Sequence, residues 1–571
     1  MENARIAEVF DKIADLLELK GDNPFRVRSY RTAALTVKDH SERLEDMVRQ
    51  GKDLTKIPHV GEAISKKIQE IVARGTCKRL EELEKEVPPG LLELLRVPQL
   101  GPRKVALLYD KLSISSLEDL KKAAQEHKIR DLPGMGSKTE ENILKGIETV
   151  EAGVGRYLLS AAYEHAASIG RHLDAVKTIK RWEVAGSFRR QKETIGDLDI
   201  LVQAKDREKA ADAIVSYAAI EEVLGKGHEK ISVRLLNGLQ IDFRFFEPDS
   251  FGSALAYFTG SKAHNVALRK RAQQKDWKLN EYGLFEGERP IAGDTEESLY
   301  KCFDLPWIPP ELREDRGELE AADQGRLPKL VELGQIRGDL HVHTTASDGI
   351  NTLEEMVEAA RNLKYQYLGV TEHSKAVTVA HGLDEEAVLR RVEEIRELNA
   401  SLKDFWVLAG LEVDILKNGA LDIDEKVLAE LDWVVASVHF NFNLDEKTMT
   451  DRLLAGIRSG VVHCLGHPLT RLIGAREAIK FDMERVLRAC AENNVWVEIN
   501  AQPDRLDLPD IHCQHGKELG ARFAIGTDAH RQADLNFMKF GVAVARRGWL
   551  EKADILNTCT IKQLKQKLKK P

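Results

Sequence analysis

The stretch GSFRRQKETIGDLDILV (186–202) sets Asp197 and Asp199 two residues apart in an otherwise apolar run. On a strand, that spacing sends both carboxylates to one face. Two such charges side by side are costly unless a cation lies between them. A third acid, Asp242, stands alone in a second strand-like run, LQIDFRFF. Carboxylates from neighbouring strands suit Mg²⁺ or Mn²⁺, and two such ions about 4 Å apart activate an attacking oxygen and stabilise a leaving pyrophosphate. Upstream, Gly186-Ser187 offers N–H and hydroxyl donors in a tight turn, and Arg190 a planar cation, for triphosphate oxygens. A bare DxD is more often a solvated strand face. The GS turn and the later Asp242 tip the balance toward chemistry.

Histidine gathers at the other end, where ten of 17 lie between 341 and 530. Seven apolar runs there end in residues that metals favour: GDLHVHTTASDG, YLGVTEHS, WVLAGLEVDI, DWVVASVH, VVHCLGHP, VWVEINA and RFAIGTDAH. Helical segments separate them, and strand C-termini in a βα repeat converge on one end of a barrel. His341 and His343, two apart, face the same way. Imidazole with carboxylate suits Zn²⁺, Mn²⁺ or Fe²⁺ better than Mg²⁺. His381, His463, His512 and His515 read as ordinary hydrogen-bonded histidines.

These groups need elements to hold them. Residues 1–150 read as helices, with a repeated pattern of apolar residue, short glycine turn and Lys- or Ala-rich helix: IPHVGEAISKKI (57–68), VPQLGPRKVALL (97–108) and LPGMGSKTEENI (132–143). Gly61, Gly101 and the pair Gly134/Gly136 let a backbone approach a ligand closely. The free N–H groups that follow suit a phosphate, hence sequence-independent DNA binding. GMGSKT is not a Walker A loop, because the spacer and the glycine before the lysine are missing. From about 151 short β-like runs appear, and from 338 strands alternate with helices, which favours a parallel α/β arrangement. The proline- and charge-rich 311–336 reads as a linker.

A length of 571 residues implies several domains, and 43% hydrophobic content excludes a disordered chain. The net charge of -8 argues against a protein coated in base, although basic runs such as Lys270, Arg271, Lys275 and Lys278 could track phosphates. Six cysteines without CxxC spacing make disulfides and thiolate zinc sites poor expectations. With no long apolar stretch, the expectation is a reduced, soluble, cytoplasmic monomer with no membrane contact.

The three glycine turns resemble helix-hairpin-helix motifs, with His59 and Gln99 where a first glycine is usual. Over about 1–310 the chain resembles the family X DNA polymerases, relatives of DNA polymerase beta, and the likeness continues through YFTGSKAHNVALRKRA (257–272) and NEYGLF (280–285). By that resemblance Asp197, Asp199 and Asp242 carry the metals, and Gly186, Ser187 and Arg190 bind the triphosphate. Tyr257, Phe258 and Gly260 would line the sugar pocket, Asn265 would meet the base and Arg269 the template. Lys262 departs from the acid of vertebrate members, an added cation expected to strengthen nucleotide binding before DNA arrives. Lys67 matches the Schiff-base lysine that removes a 5′-deoxyribose phosphate, although a lysine on a DNA-binding helix is usually a phosphate contact.

From about 337 the strand-end clusters resemble a PHP (polymerase and histidinol phosphatase) domain. All nine ligand positions are filled: His341, His343, Asp348, His373, Glu412, His439, His467, Asp528 and His530. By analogy Glu412 bridges two ions, one with His341, His343 and Asp528 and one with His439 and His467. Asp348, His373 and His530 would hold a third. The implied architecture is an all-α helix-hairpin-helix region (1–83, with fingers at 84–150), an α+β nucleotidyltransferase palm (151–247) and thumb (248–310), then a distorted (β/α)7 barrel (337–571). The implied activity is short-gap filling on gapped or nicked DNA with dNTPs, joined to phosphoester hydrolysis at 3′ ends or abasic sites. Rival readings are a scaffold-only barrel, a non-catalytic DNA-end adaptor and a small-molecule nucleotidyltransferase.

Overall fold

A computed structural model describes residues 3–38, 44–57, 60–74, 76–95, 97, 100–151 and 156–568; His59 and Gln99 lie outside these. The described residues among 3–151 form helices joined by turns, and their apolar faces (Phe10, Leu17, Ile68, Leu83 and Leu108 among them) close on one another as a separate core. Gly61, Gly101 and Gly136 stand immediately before the helices Glu62–Arg74, Pro102–Leu112 and Ser137–Glu151.

Strand Ile179–Val184 opens a five-stranded sheet, followed in space by Asp197–Ala204, Gln240–Phe245, Lys230–Leu235 and Ile220–Lys226. The alternation in DLDILVQA explains why this strand forms. Leu198, Ile200 and Val202 are fully buried in the core, while both aspartates stand on the opposite face. The strand pairs with Gln240–Phe245 in parallel, with Asp199 directly beside Asp242. Helices Phe251–Thr259 and Lys262–Gln274 and the antiparallel meander Trp277–Asn280, Gly283–Glu286 and Arg289–Ala292 follow.

The segment read as a linker is packed chain. Arg313 and Glu318 are completely buried, and Leu312, Leu319 and Leu330 join the core of the preceding helices and meander. Its buried charges are internal partners: Glu318 accepts from buried His264 at 2.7 Å, and Arg313 donates to Glu296 at 2.6 Å, while Glu320, Asp323, Arg326 and Lys329 stay exposed.

Seven parallel strands then follow in sequence order: Gly338–Val342, Tyr367–His373, Trp406–Asp414, Trp433–Ser437, Cys464–Leu465, Trp496–Asn500 and Phe523–Gly526. A parallel bridge from Val342 to Ala529 brings the last strand's exit against the first, which nearly closes a barrel. The strands are buried along their length because helices cover the outside, as parallel sheets require. One apolar cluster runs from the five-stranded sheet into the barrel, and Tyr163 meets Phe540 edge to face at 5.6 Å. The two halves therefore share a core.

Candidate functional site

At the five-stranded sheet the three aspartates come together. Asp197 lies at the mouth, Asp199 is half-buried and Asp242 is buried. Burial, then the neighbouring charge of Asp197, pushes Asp199 up to about 6. Burial and Asp242 raise Asp197 as well. Burial also opposes ionisation of Asp242, but hydrogen bonds from Lys230, Ser232 and Gln240 outweigh it and hold that carboxyl down. Two cations already sit among the carboxylates. Lys230 Nζ is 2.7 Å from Asp242, and Arg244 reaches Asp199 at 3.3 Å and Asp242 at 3.4 Å while stacking 4.3 Å over the Phe258 ring. A carboxylate set that draws two cations and keeps raised carboxyls fits a divalent ion.

The GS turn abuts this centre. Gly186 has φ +64, and a Cβ there would come within 3.2 Å of Asp199 Oδ2, so the turn needs glycine for both conformation and space. Arg190 is less free than its spacing suggests. Its Nε donates to Glu314 at 3.0 Å and Nη1 to the Thr259 carbonyl at 2.6 Å, which leaves Nη2 without a protein partner among the described residues. Asn265 Nδ2 donates to the Tyr257 carbonyl at 2.6 Å, and a Cβ on Gly260 would collide with Asn265 at 2.4 Å. Tyr257 and Phe258 meet edge to face at 5.1 Å. Arg269 lies one turn after Asn265 on the same helix, and Lys262 is exposed at that helix's first position.

Five of the barrel histidines converge on Glu412. Its Oε1 lies 2.9 Å from His467 and 3.3 Å from His439; its Oε2 lies 3.0 Å from His373, 3.5 Å from His341 and 3.7 Å from His343. Asp528 approaches His343 at 3.2 Å, and Asp348 approaches His530 at 3.3 Å and His373 at 3.5 Å. Both Glu412 oxygens, both nitrogens of His343, His341 Nε2 and His373 Nδ1 are buried without a hydrogen-bond partner. Orphaned polar atoms of this kind are expensive, and an ion is the partner that imidazole nitrogens and a carboxylate can share. The donors fit transition metals.

Three groups hold their ligand atoms within 4.8 Å of one another: His341, His343 and Asp528; His343, Asp348, His373 and His530; and His373, Glu412 and His439. His343 and His373 each belong to two of these groups.

Charge within the cluster is polarised. Burial disfavours the charged form of His341, but Glu498 and Glu412 outweigh it and raise it well above the usual histidine range. His343 falls to about 4 through burial and the nearby His373.

Four other residues have structural parts that the sequence pattern did not reveal. Glu498 takes His341 Nδ1 at 2.6 Å and the His467 N–H at 2.6 Å, so it turns His341 Nε2 inward. A Cβ at Gly526 would strike Glu498 at 2.3 Å. Asp414 stands 3.5 Å from His439, and Arg505 stands 3.7 Å from Asp528. The available signal for Glu498 was a lone acid in the apolar strand WVEIN, the same signal that marks Asp242. His463 is a core histidine whose Nδ1 accepts from the Val434 N–H at 3.0 Å.

In the helical region, a Cβ on Gly61, Gly101, Gly134 or Gly136 would meet nothing within 4 Å, and Gly134 has φ +76. The turns thus present open backbone. Lys67 Nζ donates to the Ala63 carbonyl at 3.2 Å and lies 5.8 Å over the Tyr30 ring, beside an open pocket that also includes Lys66, Lys78 and Arg79.

This geometry defines a protein with two side-chain clusters that could hold divalent ions, a three-aspartate sheet site and a histidine-rich barrel site. The family description "DNA polymerase beta palm" matches residues 160–237, and "DNA polymerase beta thumb" matches 254–314. Two helix-hairpin-helix descriptions match 1–77 and 91–149, and "PHP domain" matches 339–502. The palm match stops before Asp242 and the PHP match before Asp528 and His530, yet the fold brings all three into their centres. Over 577 aligned residues the chain is 37% identical to the DNA polymerase/3'-5' exonuclease PolX of Bacillus subtilis, with 100% of both chains covered. DNA polymerase lambda of Arabidopsis thaliana is 26% identical over 54% of this chain and 62% of its own. A probable phosphatase of Photobacterium profundum is 32% identical over 34% of this chain and 79% of its own. The chain belongs to the family X DNA polymerases that carry a C-terminal PHP domain.

Proposed function

We propose that the chain is a DNA polymerase that fills short gaps by templated nucleotidyl transfer, and that its barrel hydrolyses phosphoesters at DNA 3′ ends or abasic sites. The observation that carries this reading is the coexistence of two complete centres in one chain that aligns end to end with a polymerase/exonuclease.

Bound divalent ions would supply the positive charge that activates the attacking hydroxyl or water and offsets charge on the phosphate. At the sheet Asp197, Asp199 and Asp242 would hold Mg²⁺ or Mn²⁺. The Gly186-Ser187 donors and Arg190 Nη2 orient the triphosphate for in-line attack, and Tyr257 and Phe258 shape the sugar pocket. Asn265 and Arg269 line the base and template side, and the open glycine turns grip backbone phosphates without reading sequence. At the barrel the nine ligands would hold up to three Zn²⁺, Mn²⁺ or Fe²⁺ ions, with Glu498 fixing His341 from behind. Lys67, beside an open pocket lined by Lys66, Lys78 and Arg79 together with Glu62, Glu70 and Glu82, is the candidate lyase nucleophile. Borohydride trapping on a 5′-deoxyribose-phosphate substrate, compared with Lys67→Ala, decides that role.

The central test incubates gapped, 3′-phosphorylated and abasic duplexes with Mn²⁺ or Mg²⁺, with and without dNTPs. Asp199→Ala is expected to lose extension and keep hydrolysis, and His341→Ala the reverse. Loss of both activities in either variant overturns the two-centre assignment.

A further inference from the structure

The helix Met538–Arg547 belongs to the barrel, but its last side chain ends in the polymerase half. Arg547 is 3% exposed. Its Nη1 donates to the Arg190 carbonyl at 2.6 Å and to Glu314 Oε1 at 3.0 Å, while Nη2 pairs with barrel residue Asp510 at 2.7 Å. The same Glu314 oxygen accepts Arg190 Nε. One carboxylate oxygen is thus shared by two guanidinium groups, one from each half. Lys192 lies 4.0 Å from Glu314, and Arg316 pairs with Asp510 at 2.8 Å. Four cations therefore face two carboxylates in a cluster behind the GS turn, with Arg547 buried at its centre and Lys192 at its open rim. Burial, with Arg547 adding to it, lowers Lys192, while Glu314 and Asp510 work the other way.

We propose that Arg547 is a positioning residue for nucleotidyl transfer: a side chain of the hydrolytic barrel that presets Arg190 for the nucleotide triphosphate. The inference rests on the polymerase reading and on Arg190 as a triphosphate cation. Arg547 acts on Arg190 in two ways. Its bond to the Arg190 carbonyl fixes the end of the turn that starts at Gly186. Its bond to Glu314 dilutes the pull of that carboxylate on Arg190, so that Nη2 stays directed to a ligand. A long side chain held before the substrate arrives spares binding the cost of ordering it. Without Arg547, Glu314 has a single strong partner and draws Arg190 back from the phosphates. The surplus charge that attracts a polyanion falls at the same time.

The test uses the full chain, with gap-filling kinetics at varied dNTP and Mn²⁺-dependent 3′-end hydrolysis measured in parallel. Arg547→Lys is expected to raise KM for dNTP about tenfold, the scale of one charge-assisted hydrogen bond. The turnover rate and hydrolysis are expected to stay within about threefold. In an Arg190→Ala background the same change should add much less to KM, because the route through the Arg190 guanidinium is gone and only the bond to the residue-190 carbonyl remains. Loss of hydrolysis as well would mark a folding failure, and Asp510→Asn, which loosens Arg547 from the barrel side, then takes its place with the same expectations. An unchanged KM, or an effect that adds fully to that of Arg190→Ala, overturns the proposal. If Arg190→Ala alone leaves KM unmoved, the triphosphate reading of Arg190 fails instead.

Discussion

Glu412→Gln is the most revealing single change in the barrel. Both carboxylate oxygens are used, Oε1 toward His467 and His439 and Oε2 toward His373, His341 and His343. The amide keeps the volume but turns one oxygen into a donor that cannot ligate and removes the negative charge. For the wild type, metal at a hundredfold excess over its dissociation constant stabilises the fold by about 2.7 kcal/mol. Unfolding entropy is about 0.5 kcal/mol/K for the ~230 residues of the barrel, or about 0.9 kcal/mol/K if the sheet domain melts with it. Each ion bound should therefore raise the melting temperature by about 3 to 6 °C. In Glu412→Gln the metal-induced rise should fall below about 1 °C, and hydrolysis should drop by at least about 100-fold, the upper scale seen for disturbed metal shells. Calorimetry on chelated and remetallated protein, with 3′-end hydrolysis and primer extension alongside, measures all three. The reasoning fails if Glu412→Gln keeps the full metal-induced rise, or hydrolyses at the wild-type rate.

Asp242→Asn should abolish primer extension while leaving Mn²⁺-dependent hydrolysis within about twofold, since the centres share no ligand. Gly186→Ala forces a Cβ toward Asp199 at φ +64; we expect a cost of about 1–2 kcal/mol in stability but a much larger fall in extension, read by comparing melting with kinetics. Glu314 is held down to about 2: burial works against this, but Arg547 and Arg190 outweigh it. Against about 4.3 unfolded, its ionisation contributes at most about 3 kcal/mol, fully present above that value and lost as pH falls toward 2. Acid titration followed by tryptophan fluorescence should show less pH dependence between 4.5 and 2 in Glu314→Gln; identical curves would sink the argument. Lys262→Ala should weaken dNTP binding without DNA, and an unchanged affinity in a direct titration removes Lys262 from the site.

Much of both centres was legible because chemistry and periodicity coincide. The i, i+2 spacings of Asp197/Asp199 and His341/His343 predict a shared face on any strand, and an acid in an apolar run stands out wherever it falls. Partners were invisible where they depend on three-dimensional packing. Arg244 stands two residues after Asp242 and looks like a surface cation, yet the parallel register turns it between two aspartates. Glu498 carries the same lone-acid signal but binds a histidine instead of an ion. The 311–336 stretch was misleading because prolines and charges suggest a tether. Several of its charges are neutralised by residues far along the chain, such as Arg546 on Glu311 and Asp510 on Arg316.

The pairing of Asp199 with Asp242 across two parallel strands makes the hydrophobic interior a measuring device. Ile200, Ile241 and Phe243 lock the strands' alignment, and a slip of one residue would turn Asp242 to the opposite side. The catalytic geometry is thereby entrusted to side chains that never see a nucleotide, and conservative repacking of this sheet should spoil catalysis well before it unfolds the protein.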